Sequence, residues 1–393
     1  MTGVTGKNCK PEPSEVLMPP SQFDTIVVGL GVMGSSITRE LARRGQRVLG
    51  VDRERPPHVH GSSHGHSRVT REVYGDDKRY VPFVQRTNQC WRELQEATGT
   101  QLLIESGLVL MGTPDSALIQ DTEASSREHN LPCDPLEHEA ISRRWPQLQC
   151  DPDMCGLWDG SAGILRVEPC IETLLAQAEA NGATLHCTAA AETWQAAEDH
   201  VTVQTATESW QARQLVIAAG PWLGTLLSDL DLPLQCERHV QYWFEPKSNP
   251  ERFAPGNCPI YTWQYGNDII YGFPDLGHGI KIARHHTKEF VQPDTVNRDI
   301  NDRELDEVRS LLERFMPTAN GRLIAHDVCM YTNTPDYNFI IDFHPDHSNV
   351  LIVGGCSGHG FKFGPVVGEL SADLLQGIRD PGLEMFQIDR LIN

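Results

Sequence analysis

A chain that opens on FDTIVVGLGVMGSSITRELARRGQRVLGVD, residues 23–52, has few folds open to it. Thr25-Ile26-Val27-Val28 is a short β-branched run, and Gly29-Leu30-Gly31-Val32-Met33-Gly34 follows it as a G-x-G-x-x-G. Ile37 and Leu41 then recur at helical spacing, Gly45 stands where a helix would end, and a second strand, residues 47–51, stops on Asp52. Strand, glycine turn, helix, strand and acid in that order predict a βαβ unit that holds a dinucleotide. Gly29 permits the tight turn, Gly31 lets the backbone approach a pyrophosphate, and Gly34 lets helix pack on strand. Val32 and Met33 open the helix, whose unpaired N–H groups and positive dipole end face the phosphates. Asp52 is placed to bind the ribose hydroxyls of an adenosine.

At 393 residues the chain exceeds what one hydrophobic core usually supports, so two domains are expected. A formal net charge of −20 argues against nucleic acid and against anionic membrane surfaces. No apolar run nears the roughly 18 residues that cross a bilayer. Eleven scattered cysteines, with no C-x-x-C pair, suit a reducing compartment better than a disulfide framework. Residues 1–22 carry Pro11, Pro13, Pro19 and Pro20, and Val16-Leu17-Met18 is too short for a signal-peptide core. A disordered extension on a cytoplasmic protein is the expectation.

Residues 53–80 are poor in apolar side chains and hold His58, His60, His64 and His66 with Arg68 and Arg71. Their spacing matches no zinc pattern, so no metal is expected. Gly61-Ser62-Ser63 and Gly65 instead suit a loop passing close to a cofactor. Val84, Trp91 and Leu94 mark a helix over 81–94, and 107–112 reads as a strand. Helices and polar loops are expected over 113–150, then a helix over 169–180 closed by Gly182. Residues 201–205 and 210–215 predict a hairpin, and 215–222 an apolar strand that breaks at Gly220. Alternation over 235–244, 259–265, 269–272 and 279–283 predicts an antiparallel sheet. Leu305, Val308, Leu312 and Phe315 line one helix face ahead of Pro317. Strands over 338–342 and 350–355 precede Ser357-Gly358-His359-Gly360-Phe361-Lys362, a second glycine-rich turn into a helix.

Four stretches together resemble one family: GSSHGHSRVTR (61–71), YGFP (271–274), CMYTNTPD (329–336) and SGHGFKF (357–363). From Phe23 to Phe386 the chain is similar to monomeric sarcosine oxidase and its relatives, N-methyl-tryptophan oxidase and pipecolate oxidase. The resemblance implies FAD rather than NAD, in a two-domain α/β (α+β) fold of the D-amino-acid-oxidase type. Residues 23–85, 155–234 and 322–393 would form a Rossmann-like FAD-binding domain. Residues 86–154 and 235–321 would form a substrate domain on the antiparallel sheet.

The resemblance also implies roles. Cys329 matches the cysteine that attaches the flavin through an 8α-S-cysteinyl bond, a reaction that nearby positive charge would favour. Arg71 and Lys362 match the pair that holds the substrate carboxylate, an arginine fork with a lysine point charge, and the substrate amine would lie near the Gly358 carbonyl. Lys281 matches the lysine beside flavin N5 that activates oxygen; Ile280-Lys281-Ile282 on its own reads as a strand with a solvent-facing lysine. Lys281, His285, Arg68 and Tyr271 form the implied catalytic set. His64, Arg68, His359, Gly360 and Lys362 lie at the cofactor, with Gly358 between cofactor and substrate. The chain departs from the family in a loop one residue shorter between Pro274 and Lys281. It also places His286 directly after His285 and carries an aromatic run at Tyr242-Trp243-Phe244. These departures bear on which substrate fits.

The implied reaction is oxidation of sarcosine or a related N-methyl or secondary amino acid by a monomer. Hydride passes to flavin N5, the imine hydrolyses, and dioxygen becomes hydrogen peroxide. The residues leave three alternatives: an oxidase of cyclic secondary amino acids such as pipecolate, a dehydrogenase with a non-oxygen acceptor, and a flavin-binding protein without turnover. Lys281 argues against the second, and Arg71, Lys281, Cys329 and Lys362 together argue against the third.

Overall fold

The computed structural model describes residues 22–75 and 77–392; the extension expected over 1–22 lies outside them but for Gln22. The strand Phe23–Val28 runs parallel to Val48–Val51 on one side and to Ser209–Ile217 on the other. Being covered on both faces, its Ile26-Val27-Val28 end reads as a continuous apolar run. The sheet grows past Ser209–Ile217 through the parallel strand His347–Gly354 and the antiparallel Val201–Gln204. The helix Val32–Arg43 buries Val32, Ile37 and Leu41 in one core with the helices Val81–Thr98, Val167–Ala180 and Gly364–Leu375. The expected βαβ unit is present.

A second eight-stranded sheet runs in the order Leu323–Asn333, Gln235–Phe244, Ile280–His285, Asp268–Phe273, Ile260–Tyr265, Leu108–Gly112, Cys155–Asp159, Asp134–Glu137. Its pairs are antiparallel except Leu108–Gly112 with Ile260–Tyr265. The helix Asp302–Phe315 packs Val308, Leu312 and Phe315 onto this sheet, and Asn301 and Glu304 close a capping box at its start. Three elements sit elsewhere than the expected segment boundaries place them. Cys155–Asp159 and Leu323–Asn333 belong to the second sheet, while Trp91 and Leu94 of the Val81–Thr98 helix are buried in the first core.

Register in the second sheet gathers the chemistry. Side chains at paired positions share a face. His239 is paired with Cys329, Glu237 with Tyr331, and Gln241 with Ala283. Ala283 is in turn paired with Tyr271, and Lys281 with both Trp243 and Phe273. All these residues, with His285, look to one side of the sheet. No helix among the described residues is long and apolar enough to cross a membrane.

Candidate active site

A cavity of about 410 Å³ runs from Asp52 and Arg53, past the start of the Val32–Arg43 helix, to Arg68, Tyr331, Gly358 and Phe361. Gly29, Gly31, Val32, Met33 and Gly360 also line it. Gly29 has φ +87°, and a Cβ there would come within 2.5 Å of Ala218 O; a Cβ on Gly34 would lie 1.7 Å from Gly29 O. Both positions therefore require glycine. Asp52 is held by two backbone N–H groups, from Leu30 to Oδ2 at 2.7 Å and from Arg53 to Oδ1 at 2.7 Å. Beside it His58 lies 3.4 Å from Oδ1, and neither of its buried ring nitrogens makes a hydrogen bond. An acid at one end, backbone N–H groups in the middle and an aromatic, cationic far end suit a dinucleotide with a planar ring. The residues fit FAD.

At the far end the implied site residues converge. Lys281 is buried, and its Nζ donates to Gly65 O at 2.8 Å, Ser67 O at 3.0 Å and Ser67 Oγ at 3.3 Å. The pattern-based expectation of a solvent-facing lysine is thus corrected: the 65–67 turn covers that face of the sheet. Burial, followed by the charge on Arg68, pulls the Lys281 pKa well below the lysine value. Arg68 is fixed by the carbonyls of Ser67 and Ser62. Glu168 accepts from the N–H groups of Gly65 and His66. Burial alone would raise its pKa, but the His66 hydrogen bonds bring it to about 2. His64 is buried 3.7 Å from Asp327, and desolvation lowers its pKa.

Arg71 and Lys362, far apart in sequence, meet at Tyr74. The Arg71 guanidinium carbon lies 5.3 Å and Lys362 Nζ 5.2 Å from that ring's centroid. Lys362 Nζ donates to His359 O at 2.7 Å, and its carbonyl accepts from Thr87 Oγ1 and Trp91 Nε1 at 2.7 and 2.9 Å. His359 Nε2 donates to Tyr337 O at 3.0 Å, which leaves Nδ1 to accept from Tyr74 at 2.5 Å. Gly358, at φ +80°, abuts Tyr331, where a Cβ would come within 2.5 Å of the ring. His285 Nδ1 lies 3.4 Å from Tyr331 Oη, which lies 3.5 Å from Tyr271 Oη. His286, at φ +57°, pairs with Glu237 at 3.0 Å, and its ring centroid lies 5.5 Å from that of Tyr331.

Cys329 is buried, with Sγ accepting from Gln241 Nε2 at 3.1 Å. Sequence reasoning did not single out Tyr74, Glu237, His239 or Gln241. The last three alternate along one strand, a signal that was present but that the period of two leaves ambiguous as to side. Among the described residues no group of histidine, cysteine and acidic side chains could hold a metal.

The profile of the FAD-dependent oxidoreductases matches residues 24–374. The chain belongs to that family. Monomeric sarcosine oxidase of Streptomyces avermitilis is 39% identical over 375 residues, spanning 94% of this chain and 98% of that one. N-methyl-L-tryptophan oxidase of Citrobacter koseri is 32% identical over 378 residues, spanning 94% and 99%. Among solved structures, a single-site mutant of NikD, an unusual amino acid oxidase of nikkomycin biosynthesis, superposes with a TM-score of 0.82 over 93% of this chain and 96% of that one, at 22% identity. That likeness shows the fold, the shared architecture of FAD-dependent oxidoreductases.

Proposed function

We propose that this FAD-dependent oxidoreductase oxidises sarcosine or a related N-methyl or secondary amino acid. The observation that carries it is the meeting of Arg71 and Lys362 on Tyr74, with Lys362 next in sequence to Phe361, which lines the cavity that begins at Asp52. The names of its relatives, sarcosine and N-methyl-L-tryptophan oxidases, support the same class. FAD, when bound, supplies the hydride acceptor. Gly31, the Val32–Arg43 helix start and Asp52 would hold its phosphates and ribose, and His64, Arg68 and the 358–360 turn would border its ring. Cys329 would carry it covalently.

The chain's own groups do the positioning. Arg71 grips the substrate carboxylate with its fork and Lys362 adds a point charge. The Gly358 carbonyl accepts from the amine, while Tyr271, Tyr331 and His285 line the pocket. Lys281 places positive charge, on a proton that burial loosens, where dioxygen is reduced to hydrogen peroxide. The proposal extends to a division into FAD-binding and substrate segments and to a monomer in the cytoplasm. The ten described cysteines, all free thiols, support a reducing compartment.

An anaerobic screen of N-methyl, cyclic and primary amino acids tests the substrate class by bleaching of the flavin absorbance. Sarcosine or an N-methyl amino acid should bleach it fastest, and air should restore the colour with one peroxide per substrate. No bleaching by any secondary amino acid refutes the reading. Denatured protein should stay yellow, and Cys329→Ser should release the colour; retention of colour by that variant defeats the attachment site.

A further inference from the structure

The strand Gln235–Phe244 turns three polar side chains onto the site face, Glu237, His239 and Gln241, all buried. Gln241 is 0% exposed and is aimed at a nucleophile, its Nε2 donating to Cys329 Sγ at 3.1 Å. Its Oε1 has no protein partner and presses on the Gly65 turn, where a Cβ would come within 2.4 Å of it. Full burial of a carboxamide with one end unsatisfied is unfavourable, and an apolar residue would pack here without that cost. What the amide supplies is an N–H directed at sulfur. Such a donor fixes where the sulfur, a weak acceptor, points. Arg298 is fixed nearby by the carbonyls of Val59, His60 and Val328, each at 2.8 Å.

We propose that Gln241 is the positioning residue for covalent attachment of the cofactor, holding Cys329 Sγ in place for attack. This rests on the reading that Cys329 carries the flavin. In the attachment a bond forms between Sγ and the carbon of the ring's 8-methyl group. One S–H and one C–H bond break, and both protons leave to water. The two electrons pass by way of the isoalloxazine to dioxygen, which becomes hydrogen peroxide. Gln241 makes and breaks no bond; its N–H sets where the sulfur points.

The test uses the full-length chain produced under riboflavin limitation and then mixed with FAD in air. Covalent incorporation is followed as flavin fluorescence that survives acid precipitation and as added mass on the intact chain. Quenching of free FAD fluorescence reports non-covalent uptake, and so folding, separately. Gln241→Leu should take up FAD yet incorporate it about tenfold more slowly at pH 7, the size of one charge-assisted hydrogen bond. Gln241→Glu, of the same shape but with only acceptors at neutral pH, should be slower still, and it decides the matter if the leucine variant fails to take up FAD. A variant that takes up FAD and incorporates it at the wild-type rate overturns the proposal. A wild-type chain that releases all its flavin on denaturation overturns the covalent link itself, a separate failure read before any variant is made.

Discussion

Lys281 shows what one residue's environment decides. Alternation in Ile280-Lys281-Ile282 correctly puts the lysine opposite its apolar neighbours, yet all three are buried. The cover comes from Gly65 and Ser67, 216 and 214 residues earlier in the chain, and no local pattern carries that information. With all three donors engaged, the ammonium is fixed in place. Lys281→Met should slow reoxidation of the reduced enzyme about a hundredfold or more while changing anaerobic flavin reduction less than about tenfold. Stopped-flow traces of the two half-reactions measure each; equal slowing of both would make the lysine structural. Glu237 gives a stability counterpart. Burial opposes its charge, but His286, the Lys288 N–H and Asn333 bring its pKa from 4.5 to about 2. A carboxyl whose folded pKa lies below its unfolded one stabilises the fold above pH 4.5 and loses that contribution as pH falls toward 2. The full swing is about 3 kcal/mol. Urea titrations between about pH 6 and pH 3 should therefore show a shallower loss of stability in Glu237→Gln than in the wild type.

At the scale of elements, the βαβ unit was the most legible part because its glycines answer to backbone geometry alone. Gly34 and Gly45 separate two reasons for a glycine. A Cβ on Gly34 would overlap Gly29 O at 1.7 Å, backbone against backbone, so Gly34→Ala should abolish both soluble expression and FAD uptake. Gly45 has φ +82° and open space, with nothing within 4 Å of where a Cβ would stand. Gly45→Ala should therefore cost only about 1–2 kcal/mol in thermal or urea unfolding and leave FAD uptake intact. Equal effects at both positions would refute the steric account of the turn. The edge strand Asp134–Glu137 was not legible: it is four residues long, mostly exposed and carries Pro135, features that read as loop. The strand Gln235–Phe244 was legible as a strand but not in its facing. From Glu237 onward every residue is buried, so polarity no longer marks the side that meets solvent.

The whole molecule brings together what neither core contains alone. Arg71 follows the dinucleotide-binding unit, Lys362 lies in the turn into the helix Gly364–Leu375, and Tyr271 and His285 stand on the second sheet. Motif resemblance named these residues; Tyr74, the ring on which both cations meet, was outside every motif used. Two cations directed to one aromatic ring beside a flavin-sized cavity are suited to a single anion, and in the proposed substrate that anion is the carboxylate. A charge-assisted hydrogen bond is worth about 1.5–3 kcal/mol, or roughly ten- to a hundredfold in affinity. Removing the fork should cost more than removing the point charge, so Arg71→Met should weaken substrate binding more than Lys362→Met. Arg71→Lys should restore only part of the loss, because the two parallel donors are gone. A simple carboxylic acid without an amine should compete with substrate in the wild type and bind more weakly in both variants, as read from the perturbed flavin spectrum. N-methylbenzylamine, which offers the oxidisable C–N bond without the anion, should be turned over far more slowly than an N-methyl amino acid. Equal rates for the two would show that Arg71 and Lys362 hold no carboxylate, and would make the chain an oxidase of amines at large.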